Sequence, residues 1–234
     1  MGRYLLLIID NFLIMKRFFG LVCAAMLTIS ASAQVTWNVK AGAGLSWAPI
    51  SLSGSGLDYS ASSKSHFVGK LGVGIEAPIT QNFSVMPSLE LALKGAKFGY
   101  DDEDDETNIN LTYLQIPIMA AYRFSLSDRL NMTLKAGPYF AYALSGKIKG
   151  NGESIDIFKN EVEEYNGERY ERKGKRFDAG LVAGVDFEYH RFVIGLEYEY
   201  GLTNFYEFRA SYSGNNAKET VKNSAAYITV GYKF

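Results

Sequence analysis

The sequence predicts an all-β protein, a single eight-stranded antiparallel transmembrane β-barrel with up-and-down connectivity. Two observations carry this prediction: eight runs of alternating apolar and polar residues, and connections between them that are alternately short and long. Strict alternation is typical of strands whose two faces meet different environments. No run of helical periodicity competes with these segments in length. An N-terminal export signal supports the same interpretation.

Each of the eight runs has about the length that a tilted strand needs to cross a bilayer. In chain order they are residues 37–47, 67–77, 83–98, 111–124, 129–144, 177–189, 192–205 and 225–234. In the first four runs, one face carries Trp37, Val39, Leu45 and Trp47; Phe67, Leu71, Val73 and Ile75; Val85, Leu89, Leu91 and Leu93; and Leu114, Ile116, Tyr122 and Phe124. In the last four it carries Leu130, Met132, Leu134 and Phe140; Leu181, Val185 and Phe187; Ile194, Leu196, Tyr198 and Tyr200; and Ile228, Val230, Tyr232 and Phe234.

The connections between these runs alternate in length. The short ones are residues 79–82, 125–128 and 190–191, and the long ones are roughly 51–65, 101–110, 146–176 and 206–224. Membrane-spanning barrels have short turns at one end and long loops at the other. With an even number of strands, both chain ends are expected at the end with the short turns.

Charged residues occupy the face opposite the apolar one. Seven are basic and seven acidic: Lys40, Lys70, Lys94, Arg123, Arg129, Lys135 and Lys233, and Glu76, Glu90, Asp178, Asp186, Glu188, Glu197 and Glu199. A lysine or arginine facing lipid costs roughly 2–4 kcal/mol near the midplane, so these residues are expected to point inward. An eight-stranded barrel is filled by its own side chains, which predicts an ion-paired interior without a wide pore.

Aromatic residues cluster near the ends of the runs, where membrane interfaces favour them. Beside the short turns they are Trp37, Tyr122, Phe124, Tyr189, Phe192, Tyr232 and Phe234, and at the opposite end Trp47, Phe67, Phe177 and Phe205. A soluble barrel or sandwich with an apolar core is the alternative. It gives no reason for these clusters or for placing all the long loops at one end.

Residues 1–33 are expected to be a signal peptide. Lys16 and Arg17 form a positive segment, residues 18–29 are largely apolar, and Ala31-Ser32-Ala33 has the pattern of a cleavage site. The apolar stretch is too short for an ordinary spanning helix. An uncleaved N-terminal anchor is the alternative, which the cleavage pattern disfavours.

The mature domain is expected to comprise residues 34–234, beginning at Gln34. Met15 stands where an initiator belongs, so residues 1–14 are interpreted as an upstream mis-start. Cys23 is the only cysteine and lies inside the signal. The mature domain is therefore expected to have no disulfide and no cysteine-ligated metal. A net charge of −1 gives no electrostatic reason to expect nucleic acid as a partner.

Several stretches resemble the outer-membrane β-barrel domain family of small porin-like proteins from Gram-negative bacteria. They are residues 113–124 (YLQIPIMAAYRF), 136–142 (AGPYFAY), 177–180 (FDAG) with Gly184, 196–202 (LEYEYGL) with Asn204, and 230–234 (VGYKF). The resemblance implies an outer-membrane location, periplasmic chain ends, outer-membrane lipid and lipopolysaccharide as surroundings, and assembly by the barrel-assembly machinery. It implies no settled activity and no cofactor.

No catalytic, cofactor-binding or metal-binding residue is assigned from the sequence. His66 lies near serines 62, 63 and 65, which is the weak basis for a lipid-modifying enzyme at the barrel rim. His190 is interpreted as a residue of a solvated turn. The acidic run at residues 101–106 offers oxygen ligands for divalent cations, but a solvated loop tip is the favoured interpretation.

The expected function is that of a non-enzymatic barrel whose external loops act in surface interaction or envelope integrity. A narrow porin-like channel for ions or small solutes is the alternative, and a rim enzyme that modifies lipid is a third hypothesis. The fold by itself does not decide among them.

Overall fold

The computed structural model describes residues 35–54, 57–98, 107–150, 153–165, 168–212 and 215–234. The predicted signal peptide and the acidic run at residues 101–106 lie outside the described residues. Within these ranges, no helix has the length and apolar character needed to cross a membrane.

The described residues form thirteen strands, which pair antiparallel throughout. They are β1 (Thr36–Trp47), β2 (Pro49–Gly54), β3 (Leu57–Ser62), β4 (His66–Pro78), β5 (Phe83–Phe98), β6 (Thr107–Ser125), β7 (Leu130–Gly150), β8 (Glu153–Asp156), β9 (Glu161–Tyr165), β10 (Glu168–Gly174), β11 (Phe177–Tyr189), β12 (Phe192–Tyr212) and β13 (Asn215–Lys233).

Eight of these strands close into a ring, which confirms the predicted barrel. The order around the ring is β1, β4, β5, β6, β7, β11, β12 and β13, and each strand pairs with the next in this order. The last strand closes the ring because β13 pairs with β1 on one side and with β12 on the other. A closed ring leaves no unpaired strand edge, the condition for a sheet to lie in hydrocarbon.

The short connections are tight turns at one end of the barrel, here called the turn end. The Ile79 amide donates to the Phe83 carbonyl at 2.8 Å, and the Leu126 amide donates to the Leu130 carbonyl at 2.9 Å. His190 has a φ of 57° in the two-residue turn between β11 and β12. Two-residue hairpin turns need such a left-handed residue, so a backbone role accounts for His190.

At the opposite end, here called the loop end, the predicted loops are largely extended strand. The hairpin of β2 and β3 begins at Pro49 and occupies most of the predicted loop 51–65, and β8, β9 and β10 lie within 146–176. The predicted loop 206–224 is mostly a continuation of β12 and β13, which remain paired from Tyr206 and Val221 to Tyr212 and Asn215. Antiparallel pairing continues past the apolar segments because backbone groups can pair whatever the side chains are.

The apolar faces of the strands point outward, as predicted. Phe67, Leu71, Phe192 and Ile228 are each more than half exposed, which in a membrane means contact with lipid. Aromatic rings meet one another at the turn end, where the Phe192 and Tyr232 centroids lie 5.3 Å apart. The predicted outward residues Ile75 and Ile116 are instead buried.

Removal of residues 232–234 is expected to reduce assembly of the barrel severely. This segment pairs Tyr232 with both Val39 and Phe192, and the Phe234 amide donates to the Trp37 carbonyl at 2.9 Å. Without it the two edges of the ring remain unpaired at the turn end, which hydrocarbon does not tolerate. The measurement is the heat-modifiable gel shift of folded protein in membrane fractions.

The matched control is removal of three residues from the acidic run 101–106, which belongs to none of the described strands. Equal losses in both variants would contradict the strand order given above.

Candidate functional site: the barrel interior and the loop-end rim

A four-residue ion cluster fills the barrel at the turn end. The Lys233 ammonium lies 2.7 Å from Glu76 and 2.5 Å from Glu188, and Arg123 lies 2.6 Å from Glu76. The Ser84 hydroxyl also donates to Glu76 at 3.3 Å. These residues come from β4, β6, β11 and β13, so the cluster ties distant walls of the ring together.

The centre of the barrel is organised around the ammonium group of Lys70. This group contacts Glu197, and it lies 3.0 Å from Glu199 and 3.4 Å from Glu90. The three carboxylates also have oxygens close enough together to hold a metal ion. The cation that they share in this structure is the Lys70 ammonium.

Two further lysines extend this central network. Lys40 lies 2.6 Å from Glu90 and 3.0 Å from Glu197. Lys135 lies 2.7 Å from Glu197 and 2.6 Å from Asp186. Glu197 therefore receives three ammonium groups, from β1, β4 and β7. Buried charges of opposite sign at such distances compensate one another for the loss of water.

Towards the loop end, the network passes to Lys94 and a set of tyrosines. Lys94 lies 2.9 Å from Glu199 and stacks over the ring of Tyr139 at 4.1 Å. Asp178 accepts hydrogen bonds from Tyr139 at 3.3 Å, from Thr203 at 2.8 Å and from the Asn223 amide at 3.0 Å. Asp178 is thus stabilised mainly by neutral donors, and its nearest ammonium, that of Lys94, is 3.8 Å away.

An apolar cluster closes the barrel above these polar layers. Its buried members include Ile109, Leu111, Ile157, Phe205 and Val221, and the rings of Phe98, Phe158 and Tyr206 pack against it. The segment after β8 contributes Ile157 and Phe158. Gly146 admits them, because a Cβ there would lie 2.5 Å from both side chains. The part of the interior that these residues occupy is therefore apolar.

The structure confirms most of the predicted interior charges and corrects one. Of the fourteen, eleven are buried, and the Lys40 side chain is only 11% exposed. Arg123 is partly exposed at the turn end. Arg129 is exposed and does not face the interior, because β7 begins only at Leu130 and Arg129 belongs to the preceding turn.

The predicted second aromatic girdle also needs a correction. Phe205 was expected to face lipid, but it is 1% exposed and belongs to the apolar cluster. Register shifts between Tyr200 and Tyr206 reorient this part of β12 relative to β13. Phe205 lies an even number of residues from the inward-facing Glu197 and Glu199, so strict alternation along β12 already places it on the inward face.

Sequence reasoning missed the tyrosines of the interior. Tyr113, Tyr139 and Tyr227 are fully buried. Each lies an even number of residues from a polar-face residue of its own strand, for example Tyr113 from Gln115. The alternation along each strand therefore places these tyrosines inside, but the predicted interior contains charged residues only.

Among the described residues, the hydrogen-bond partner of His66 is an asparagine. Its Nε2 lies 3.0 Å from the Asn110 side-chain oxygen. The Ser63 hydroxyl instead accepts from the Ala48 amide at 2.8 Å and donates to the Lys64 carbonyl at 3.0 Å. Ser63 and His66 therefore do not form the hydrogen-bonded pair of nucleophile and base that the rim-enzyme hypothesis needs.

Beyond the apolar run of β12, Glu207 lies among three cationic side chains at the loop-end rim. Lys175 lies 3.1 Å from it, Arg209 2.5 Å and Lys218 3.2 Å. Burial raises the pKa of Glu207, but hydrogen bonds from Arg209, Lys175 and Lys218 outweigh it and lower the pKa to about 2. The carboxylate therefore remains charged at any physiological pH.

Replacement of Lys70 by methionine is expected to lower the free energy of unfolding by about 3 kcal/mol, because it leaves buried carboxylates without their shared cation. The measurement is the urea midpoint of refolded protein in lipid vesicles. The double variant Lys70→Met/Glu197→Gln should recover part of the loss, and Lys147→Met, at an exposed lysine, should change little. A wild-type midpoint for Lys70→Met would mean that water solvates the interior.

Comparisons with known proteins identify the family of the chain. Solved structures similar to this chain include outer membrane protein OprG from Pseudomonas aeruginosa (10% identity, 86% of this chain and 98% of that chain, TM-score 0.45). A major outer membrane protein from Thermus thermophilus has 15% identity over 86% of this chain and 99% of that chain, with a TM-score of 0.44. No curated protein matches the chain significantly. A family model described as outer membrane protein beta-barrel domain matches residues 32–207, and the chain therefore belongs to the outer-membrane β-barrel domain family.

Proposed function

We propose that this outer-membrane protein is a sealed, non-enzymatic barrel that acts through its loop end at the cell surface, in surface interaction or envelope integrity. The observation that carries the proposal is the filled interior. Ion pairs occupy the barrel from Lys233 to Lys94, and the apolar cluster around Ile157 and Phe205 covers them. With the interior occupied, the accessible surfaces are the lipid-facing wall and the two rims.

An apolar hollow of about 1450 Å³ is lined largely by outward-facing residues such as Leu71 and Ile228, and two smaller spaces adjoin the interior charges. A space of about 30 Å³ lies between the central network and the turn-end cluster, beside Lys135, Asp186 and Thr229. A space of about 210 Å³ lies at the turn end beside Arg123 and Lys233. The smallest has room for roughly two water molecules. An ion crossing the barrel would have to separate the Lys70 contacts and displace the apolar cluster.

The proposed orientation places the turn end in the periplasm and the loop end outside the cell. Barrels of the outer membrane have short periplasmic turns and longer external loops. Thr36 and Phe234 both lie at the turn end, beside its aromatic residues, so both ends of the described domain would face the periplasm. The exposed ring of Phe234 would then be available to the barrel-assembly machinery.

The refolded mature protein is expected to give no discrete conductance steps in a planar lipid bilayer. The physical reason is the cost of separating buried charge pairs, several kcal/mol for each ion. A porin added to the same bilayer serves as the positive control, and the gel shift establishes that the test protein is folded. Reproducible unitary steps whose size changes in Lys70→Met would instead support a narrow channel.

Orientation is tested with two isosteric cysteine variants, Ser53→Cys at the loop end and Ser127→Cys at the turn end. Both serines are exposed, and the only native cysteine, Cys23, lies in the predicted leader. A membrane-impermeant maleimide should label Ser53→Cys in intact cells and Ser127→Cys only after permeabilisation. The reverse pattern would overturn the proposed orientation.

A further inference from the structure

The loop-end sheet carries a basic cluster, defined as Lys173, Lys175, Arg209 and Lys218, around the carboxylate of Glu207. Lys175, Arg209 and Lys218 lie within 3.2 Å of that carboxylate. Lys173 is in register with Glu207 on the neighbouring strand, so the two side chains share a face of the sheet.

This face points away from the barrel interior. After the register shift between Asn204 and Tyr206, Tyr206 is in register with Val221, and both contact the apolar cluster. Glu207, the next residue of β12, therefore lies on the opposite face. Arg209 follows on the same face as Glu207, and Lys218 is in register with Arg209. The basic cluster is thus directed outward, towards whatever surrounds the barrel at this height.

The cluster has more positive charge than its own carboxylates neutralise. Glu207 and Glu171, which is in register with Arg209, supply two negative charges against four cations. The Glu207 side chain is 6% exposed, whereas those of Lys175, Arg209 and Lys218 are 41–57% exposed. The Glu207 carboxylate is thus covered by the cationic groups that it binds, while most N–H donors of those groups remain accessible.

The height of the cluster fits the head-group layer of the outer leaflet. Leu202 is the last exposed apolar residue in the outward series of β12, and Glu207 lies five residues further along the strand. A strand that rises about 3.3 Å per residue at the tilt of a membrane barrel places Glu207 roughly 13 Å above Leu202. Beyond the hydrocarbon, this leaflet consists of phosphorylated saccharide.

We propose that the basic cluster binds phosphate groups of lipopolysaccharide in the outer leaflet. Arginine and lysine are the residues that bind phosphate oxygens through charge-assisted hydrogen bonds, and arginine does so with two parallel donors. This site rests on the proposed orientation, and it gives the loop end a specific partner, the lipid that surrounds the barrel. A barrel held in this way would cross-link neighbouring lipopolysaccharide molecules through its own side chains.

The test compares purified, refolded wild-type protein with Arg209→Gln/Lys218→Gln, which removes two charges but keeps hydrogen-bond donors beside Glu207. The probe is purified lipopolysaccharide in detergent, titrated against each folded protein by microscale thermophoresis. A cation near an anionic lipid surface contributes on the order of a factor of five, so the double variant should bind about 30-fold more weakly. The control, Arg129→Gln/Arg191→Gln, removes two exposed arginines at the turn end and should bind like the wild type.

Two further probes identify the ligand group. Lipopolysaccharide that has been chemically dephosphorylated should bind the wild type as weakly as intact lipopolysaccharide binds the double variant. Wild-type affinity for the dephosphorylated lipid, an unchanged affinity of the double variant, or displacement of lipopolysaccharide by equimolar inorganic phosphate would overturn the proposal. Because this assay uses protein in detergent, its result is independent of the labelling and conductance experiments that test the proposed function.

Discussion

The narrow closed ring of strands sets the constraint on which the rest of the structure depends. Eight strands enclose a space that side chains fill, so each charge that points inward must find its partner among other side chains. Lys70 is an example, because its one ammonium group contacts carboxylates from both β5 and β12. The pairings also cross the barrel and hold its walls at a defined separation.

The same constraint explains why aromatic and small residues accompany the charges. The central network has four lysines and five carboxylates, and Asp178, the carboxylate nearest the tyrosines, is held by hydroxyl and amide donors. The Tyr139 ring also provides a π face for Lys94. Gly195 makes room for a side chain of the neighbouring strand, since a Cβ there would lie 2.1 Å from Asp186, its register partner on β11. The paired charges, the aromatic rings and the space left by glycine thus fit together in one arrangement.

The loop-end rim of the barrel combines an apolar inner surface with a charged outer surface. At the loop end, the strands continue beyond the apolar band and carry two different surfaces. One turns inward and builds the apolar cluster with Phe205 and Ile157. The other turns outward and presents the cations that surround Glu207. Within the same few residues, β12 and β13 thus place apolar side chains inside the barrel and cations on its outer surface.

By itself, the sequence determined the closed eight-stranded barrel, its outward apolar face and most of its interior charges, because a period of two assigns each residue to a face. It did not determine which charges meet. Lys40 and Glu197 are 157 residues apart, and the stagger and tilt of the closed ring decide that they touch. Only the tertiary structure revealed the register shifts between β12 and β13 and the pairing that converts residues 206–224 into strands. Those features depend on hydrogen bonds between strands, and the alternation of residues within one strand does not indicate them.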